Sequence, residues 1–285
     1  MVRVSPAASP SPSPESGPRI RPAQASPGAE RSILGTRRLV TFYGYPGVPQ
    51  LGIVGELEKE DLVAQLEKQV AAYTELDGLP VQGAIHLIAE VAQGSPGQDG
   101  LYLNRMPHEL IEEYSELARQ NDLLLILDLQ IGRSTVPDEI AHFRQHLTQP
   151  HVHLALDPEF DMGPGEIPAE QVGSMEADDI NSAIRTLAEI ARDNNLPNKV
   201  LIVHQFERDM ILGKDTIQDD PRVDVVIDMD GWGSPDTKIE QYGRYVRSEL
   251  IEFGGIKLFY KQDKPLLTEE QVLALEPKPN VIIYQ

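Results

Sequence analysis

The stretch HVHLALDPEFDMGPGE, residues 151–166, contains a short apolar run that ends in Asp157-Pro158-Glu159 and enters a loop rich in glycine and proline. Short apolar runs bounded by turn residues are typical of buried β-strands. The two carboxyl groups at the end of this predicted strand have two interpretations. Either the chain leaves the core at this point, or the strand carries both acids into a pocket.

Runs of the same kind recur along the chain, and stretches with helical periodicity separate them. The eight runs occupy residues 39–46, 81–92, 123–132, 152–160, 199–206, 223–233, 255–261 and 280–285. Strands that alternate with amphipathic helices indicate βα units and a parallel sheet. Eight strands with seven helical connections predict an α/β fold, a (β/α)8 TIM-type barrel, over residues 38–285. The alternative, an open doubly wound sheet, lacks support because no G-x-G-x-x-G follows an early strand.

Residues 1–37 are rich in proline, serine and alanine and hold few apolar side chains. Such a segment cannot bury enough surface to offset the entropy of ordering, so we expect a disordered Pro/Ser-rich linker before the barrel. No apolar segment follows Met1, and no signal peptide is visible. Pro/Ser-rich stalks often precede exported domains, and we therefore expect an extracytoplasmic, surface-tethered protein.

The distribution of charge excludes some classes of partner. The 285 residues carry a formal net charge of −20, and the first 38 carry +4, which leaves −24 on the remainder. An acidic body of this kind repels nucleic acid and anionic lipid, so no nucleic-acid partner is predicted. No apolar run approaches the roughly 18 residues of a membrane helix, so we expect no membrane-spanning segment. The absence of cysteine excludes disulfides and thiolate nucleophiles.

In a barrel of this class the functional side chains lie at the C-terminal ends of the strands. The polar and aromatic residues at the ends of the eight predicted strands, in chain order, are Tyr43 and Tyr45, His86 and Glu90, Asp128 and Gln130, Asp157 and Glu159, His204 and Gln205, Asp228, Asp230 and Trp232, Tyr260 and Lys261, and Tyr284. Their convergence would ring the mouth of the barrel with acids, amides and aromatic rings.

Positions two or four apart on a strand share a face, because side chains alternate. The sets predicted to point inward together are His86 with Glu90, Asp128 with Gln130, Asp157 with Glu159, and Asp228 with Asp230 and Trp232. A single carboxylate at a strand end often serves only the turn that follows. Agreement over four strands favours delivery of these groups to a pocket.

Two carboxyl groups beside aromatic rings suit the hydrolysis of a glycosidic bond, in which one acid stays protonated and a second group supports the reacting carbon. We predict Glu159 as the general acid, assisted by Asp157. The candidates for the second carboxylate are Asp128, Asp228 and Asp230. The residues predicted to bind a carbohydrate or another small polar substrate are Tyr43, His86, Glu90, Gln130, His204, Gln205, Trp232 and Tyr284. No cofactor or metal ion is included in this prediction.

Asp157-Pro158-Glu159 at the end of the fourth strand resembles the D-x-E of family 18 and family 25 glycoside hydrolases. The resemblance implies that Glu159 is the acid and that Asp157 supports it. The longer D-x-x-D-x-D-x-E pattern of family 18 is absent before Asp157. The seventh strand ends in Tyr260-Lys261, where other barrel glycosidases carry a nucleophilic glutamate.

A longer resemblance covers about residues 150–212, in LALDPEFDMGPGEIP, VGSMEADDIN and LPNKVLIVHQFERDMI. These segments are similar to a group of uncharacterised bacterial secreted or lipoprotein-type barrels. That resemblance implies a barrel fold and a location outside the cytoplasm. The lipid-bearing cysteine of such proteins has no counterpart in this sequence.

Two other classes of function stay open. A metal-dependent hydrolase or isomerase would use imidazole and carboxylate ligands from the set His86, Glu90, Asp128, Asp157, Glu159, His204 and Asp228. A non-catalytic barrel would keep the aromatic residues and bind carbohydrate without cleaving it. His142 and His146, four residues apart on a predicted helix, are interpreted as a solvated face. Lys261 lies in the charged stretch KQDK, which favours a solvated lysine over a Schiff-base lysine.

Overall fold

The computed structural model describes residues 31–285. Eight longer strands are present: β1 (Arg38–Gly44), β2 (Val81–Ala92), β3 (Leu124–Leu129), β4 (Val152–Leu156), β5 (Lys199–Gln205), β6 (Val223–Met229), β7 (Phe253–Leu258) and β8 (Val281–Tyr284). Six α-helices lie between them: α1 (Lys59–Leu76), α2 (His108–Gln120), α3 (Val136–Leu147), α4 (Ala177–Asp193), α5 (Pro235–Tyr245) and α6 (Glu269–Leu273).

The eight strands pair in parallel in the order of the sequence, and β8 pairs with β1 to close the sheet. A closed sheet of eight parallel strands with helices outside is a (β/α)8 TIM-type barrel. The predicted fold class is therefore confirmed. A short strand, Leu103–Arg105, pairs antiparallel with the end of β2 and extends one side of the barrel.

One of the seven predicted helical connections is wrong. Residues 206–222, between β5 and β6, contain two 3₁₀ turns, Arg208–Met210 and Lys214–Thr216, in place of an α-helix. The sequence of this segment has no apolar stripe at helical spacing, and Gly213 at φ 67° adopts the left-handed conformation that interrupts a helix. A two-residue strand, Ile211–Leu212, instead pairs with Met175–Glu176.

Alternating side chains divide each barrel strand between two apolar layers. The outer layer packs the strands against the helices and includes Phe42, Leu87, Leu127, Leu156 and Ile227. The inner layer fills the barrel and includes Leu39, Ala84, Ile126, Ile202 and Val226. Leu127 and Ile227 in the outer layer alternate with the inward-facing Asp128 and Asp228. Both layers are almost completely buried, which accounts for the continuous apolar runs in the sequence.

Side-chain caps mark the starts of α3 and α5. Thr135 accepts a hydrogen bond from the backbone N–H of Asp138 at the start of α3, and Ser234 accepts one from Thr237 at the start of α5. Proline occupies the first turn of both helices, where no backbone donor is required. These caps set the direction of each helix as it leaves a strand at the mouth of the barrel.

The N-terminal face of the barrel is covered by the segment that precedes β1. Leu34 is 1% exposed and joins the inner apolar layer. Asp224, near the start of β6, accepts hydrogen bonds from the Ser32 hydroxyl at 2.8 Å and the Leu34 N–H at 3.0 Å. Its other oxygen accepts one from the Asn198 amide at 2.9 Å. Residues 1–30 of the predicted linker lie outside the described residues.

No helix in residues 31–285 is long and apolar enough to cross a lipid bilayer.

We predict that Asp224→Asn lowers the free energy of unfolding by about 1–3 kcal/mol, because an amide N–H₂ would replace the oxygen that accepts from Ser32 and Leu34. Urea denaturation followed by circular dichroism measures the change. Asp219→Asn is the matched control, since Asp219 is exposed, and we expect it to change stability by less than about 0.5 kcal/mol. Equal stability of the two variants would contradict the role given to Asp224.

Candidate functional site

Polar side chains from seven strands, or from the residues that follow them directly, meet in the C-terminal half of the barrel. We call this set the interior cluster; it consists of Tyr43, His86, Asp128, Asp157, His204, Asp228, Asp230 and Lys257, each no more than 7% exposed. Seven of the eight were predicted as site residues, and the structure brings those seven together.

His204 lies at the centre of the cluster. Its Nδ1 is 2.9 Å from Asp228 Oδ2 and 3.5 Å from Asp230 Oδ2. Its Nε2 is 3.4 Å from Asp128 Oδ2. The short contact with Asp228 is a hydrogen bond that orients the ring and leaves Nε2 directed toward Asp128.

His86 approaches the same carboxylate from the neighbouring strand. Its Nε2 is 3.5 Å from Asp128 Oδ2, and its ring centroid is 5.6 Å from that of His204. Tyr43 packs edge-on against His86, with ring centroids 4.9 Å apart. The two imidazoles therefore flank Asp128 in a space that the Tyr43 ring closes on one side.

Lys257 is the member of the cluster that the sequence analysis missed. Its ammonium group lies 3.1 Å from Asp230 Oδ2 and 3.7 Å from the centroid of the Tyr43 ring. The signal for it was a lysine inside the apolar run GIKLFYK, at the position that alternates inward with Gly255. A lysine in such a run is buried only when it is paired.

Several buried polar atoms of the cluster have no hydrogen-bond partner among residues 31–285. They are both ring nitrogens of His86, both carboxylate oxygens of Asp128, His204 Nε2, and one carboxylate oxygen each of Asp157, Asp228 and Asp230. Nearly all buried polar side-chain atoms in proteins have a partner. A concentration of such atoms in one place is typical of a site that binds a small polar species.

The charges of Asp128 and His204 stabilise each other. Burial by itself would raise the pKa of Asp128, but the charges and polar contacts of His204 and His86 hold this pKa well below its usual range. Burial would likewise lower the pKa of His204, yet Asp128, Asp228 and Asp230 raise it well above that of a free imidazole. By contrast, burial lowers the pKa of His86.

Glu159 lies at the outer edge of the cluster. The chain turns after Asp157 into a 3₁₀ turn, Pro158–Phe160, and this turn leaves Glu159 partly exposed. Burial, and next the negative charge of Asp230, raise the pKa of Glu159 to about 7. Burial and the charge of Glu159 also raise the pKa of Asp157 well above its usual range. Asp157 and Glu159 thus lie close enough to the other strand-end acids, as predicted, for their charges to interact.

A glycine on β7 makes room for Asp228. A Cβ atom on Gly255 would lie 2.7 Å from Asp228 Oδ1, closer than any packed carbon and oxygen. Gly255 therefore permits the carboxylate of Asp228 to occupy the space beside His204.

Glu90 does not share the inward face with His86, so that part of the prediction is wrong. A β-bulge between Ile88 and Glu90 shifts the register, and Glu90 aligns with the outward-facing Leu129. Its carboxylate instead lies 3.3 Å from Arg105, which also binds Glu139. Burial and the Glu139 carboxylate raise the pKa of Glu90 well above its usual range. Glu90 therefore belongs to a separate network outside the barrel.

Gln205 and Tyr284 also lie outside the barrel interior. Gln205 accepts a hydrogen bond from the Lys214 ammonium group at 2.7 Å and holds the loop after β5. The Tyr284 hydroxyl pairs with that of Tyr73 on α1 at 2.8 Å. Each directly follows an inward-facing position, and alternation along the strand therefore turns it outward.

Gln130 and Trp232 lie beyond the strand ends. Gln130 is 7% exposed, and its amide oxygen accepts a hydrogen bond from the backbone N–H of Ala92 at 2.9 Å. Trp232 is 65% exposed, two residues after the buried Asp230. Its ring therefore does not join the interior cluster, although it follows β6 on the C-terminal side of the barrel.

No protein-family model matches this sequence, and no curated protein matches it. Similar solved structures include an oxaloacetate acetylhydrolase in complex with oxalate, with 14% identity, coverage of 87% of this chain and 75% of the other, and a TM-score of 0.44. A hyperthermophilic endo-β-1,4-glucanase in complex with substrate has 10% identity, coverages of 90% and 91%, and a TM-score of 0.45. A broad-specificity GH5-4 endoglucanase from Clostridium longisporum has 12% identity, coverages of 76% and 75%, and a TM-score of 0.41. Structural similarity with TM-scores below 0.5 does not indicate the reaction or the substrate of this protein.

We predict that Lys257→Met lowers the free energy of unfolding by about 3–5 kcal/mol at pH 7, because removal of one partner leaves buried carboxylates without a counter-charge. Thermal and urea unfolding measure the loss. The control is Lys261→Met, because the side chain of Lys261 is 61% exposed and its ammonium group contacts Glu56 at the surface; we expect a change below about 1 kcal/mol. A tolerated Lys257→Met would show that the cluster does not depend on this charge.

Proposed function

We propose that this protein is a hydrolase that cleaves a glycosidic bond in a carbohydrate by acid catalysis, with Glu159 as the proton donor. The observation that carries the proposal is a carboxyl group at the barrel mouth whose pKa, raised to about 7 by burial and by Asp230, leaves a large part of it protonated at neutral pH. Glycosidic cleavage requires such an acid, because the leaving oxygen must receive a proton.

The position of Glu159 suits contact with a substrate. Asp128, His86, His204 and Asp228 are fully buried, whereas Glu159 is partly exposed and follows the end of β4. A general acid must lie within hydrogen-bonding reach of the group that it protonates. Glu159 is therefore the carboxyl group of the set that a substrate entering from the mouth meets first.

Asp230 is favoured as the second carboxylate over Asp128 and Asp228. Its charge makes the largest electrostatic contribution to the pKa of Glu159, after burial. It follows the end of β6; burial raises its pKa, and the Lys257 ammonium group at 3.1 Å opposes that shift and favours its ionised form. Asp228 is hydrogen-bonded to the imidazole of His204, and Asp128 is fully buried in the deeper part of the barrel.

Trp232 is proposed to contact the sugar ring. It is a largely exposed aromatic side chain on the loop that follows Asp230, and aromatic faces pack favourably against apolar faces of ligands. A cell-wall or extracellular polysaccharide is the proposed substrate, and a location outside the cytoplasm is part of the same proposal. The acidic surface suits a neutral or basic glycan better than an acidic one.

We predict that Glu159→Gln reduces hydrolysis of a cleavable glycan by at least about 100-fold, because general acid catalysis typically contributes this much, while binding is retained. The substrate is found by a screen of cell-wall and exopolysaccharide fragments for both binding and cleavage. Glu170→Gln, a variant of an exposed glutamate in the loop that follows, serves as the control and should keep full activity.

The wild-type pH profile provides a second test. Since Glu159 acts in its protonated form, kcat/KM should fall about tenfold per pH unit above a pKa near 7. Turnover by Glu159→Gln at the wild-type rate would refute the assignment of the acid. Binding without cleavage by either protein would identify a carbohydrate-binding barrel instead.

Trp232→Ala should weaken glycan binding by about 1 kcal/mol, roughly fivefold in Kd, through loss of the stacking surface. Isothermal titration calorimetry with the fragment from the screen measures Kd. Leu250→Ala is the control, because Leu250 is an exposed apolar residue, 40% accessible, that precedes β7 on the opposite face of the barrel. An unchanged Kd for Trp232→Ala would remove this residue from the binding surface.

A further inference from the structure

Three unpartnered atoms face one another in the deepest part of the interior cluster. They are His86 Nε2, Asp128 Oδ2 and His204 Nε2, and each belongs to a side chain with no exposed area. Asp128 Oδ2 is 3.5 Å from the first nitrogen and 3.4 Å from the second. No residue in the described part of the chain forms a hydrogen bond with any of the three.

We propose that His86, Asp128 and His204 form a binding site for one divalent transition-metal ion of the zinc type. Zinc bonds to imidazole nitrogen and carboxylate oxygen are about 2.0–2.2 Å long, so neighbouring ligand atoms of a tetrahedral site lie about 3.3–3.5 Å apart. The two measured separations match this spacing. Two imidazoles and one carboxylate are a common protein donor set for such ions.

The surroundings of His204 are those of a metal ligand. Its Nδ1 forms a 2.9 Å hydrogen bond with Asp228 Oδ2, which orients the ring so that Nε2 faces Asp128; a metal ion that binds at Nε2 would displace any proton on that nitrogen. A carboxylate in this position raises the basicity of the coordinating nitrogen. The absence of a side chain at Gly255 provides the space for Asp228 to occupy this position. Asp228 is thus a positioning residue for the proposed site.

A second group of potential ligands, His204 with Asp228 and Asp230, is disfavoured. Its ligand atoms also lie close together, but the Lys257 ammonium group is already 3.1 Å from Asp230 Oδ2. A metal ion there would meet this positive charge at close range, whereas His86 and Asp128 lie on the other side of the His204 ring.

The proposed metal site and the proposed reaction are separable. The metal ligands are the fully buried residues, and Glu159 and Asp230 lie nearer the mouth. Metal content and spectra can be measured without a substrate. If Glu159→Gln hydrolyses glycan at the wild-type rate, only the assignment of the acid is contradicted. If the wild-type chain binds no metal ion, only the metal site is contradicted.

The first test uses the wild-type chain alone. Protein stripped with a chelator is dialysed against Zn²⁺ or Co²⁺, and metal content is measured by mass spectrometry after removal of free ion. We expect one ion per chain and, for Co²⁺, the intense visible absorption of a four-coordinate site. A wild-type chain that binds neither ion would overturn the proposal.

The second test locates the ion. We expect His86→Ala and the isosteric Asp128→Asn each to abolish stoichiometric binding, with folding checked by circular dichroism. The control is His142→Ala, because His108, His142 and His146 form a separate histidine group between α2 and α3, with ring centroids 4.7 and 5.2 Å from His108. Loss of the ion in His142→Ala with retention in Asp128→Asn would place it at the surface and overturn the proposal.

The third test concerns Asp228. Because it acts through His204, Asp228→Asn should weaken Zn²⁺ affinity about 10- to 100-fold and shift the Co²⁺ absorption bands while one ion still binds at saturation. An unchanged affinity and spectrum would exclude the positioning role. A merely structural contribution of Asp228 would lower stability without moving the bands.

Discussion

The ammonium group of Lys257 lies inside the barrel, 3.1 Å from Asp230 and over the ring of Tyr43, among carboxylates that come from several strands. Transfer of such charges from water into a protein interior costs several kcal/mol per ion unless they compensate one another. The arrangement of the C-terminal half of the barrel follows from this constraint. Each carboxylate near the barrel axis has an ammonium or imidazole group within reach, or a raised pKa that favours its neutral form.

Apolar and polar side chains are correspondingly separated along the barrel axis. The N-terminal half holds apolar side chains such as Leu39, Val200 and Val281, closed below by Leu34. The outer apolar layer continues along the whole length of the strands. These layers supply the burial that offsets the unfavourable collection of charges near the mouth. Such a division is expected for a barrel whose function lies at one face only.

Much of this organisation follows from sequence periodicity. The eight apolar runs define the strands, and alternation along them places His86, Asp128, His204 and Asp228 on the inward face. Glu90 departs from the pattern because a bulge inserts one residue in β2, and the run LIAEVA contains no glycine or proline that would signal it. The missing helix between β5 and β6, by contrast, did have a signal in the sequence, because Gly213 and the lack of an apolar stripe both argue against a helix.

Other features that the sequence patterns did not predict arise from contacts between distant parts of the chain. Lysine is usually a surface residue, and only the convergence of aspartates from neighbouring strands explains the burial of Lys257. The unpartnered nitrogen atoms of His86 and His204 likewise depend on distances across the barrel. Sequence patterns identify which residues face inward, whereas the pairing of charges requires the closed sheet.

The hydrogen bonds from Ser32 and Leu34 to Asp224 fix the side of the barrel from which the described chain starts. They hold the start of the described chain against the N-terminal face, where the Arg31 carbonyl also accepts from the Asn198 N–H. Glu159 and Trp232 lie on the opposite face. A surface or bead attached directly at residue 31 would therefore lie against the N-terminal face and leave the mouth of the barrel open to large molecules arriving from solution.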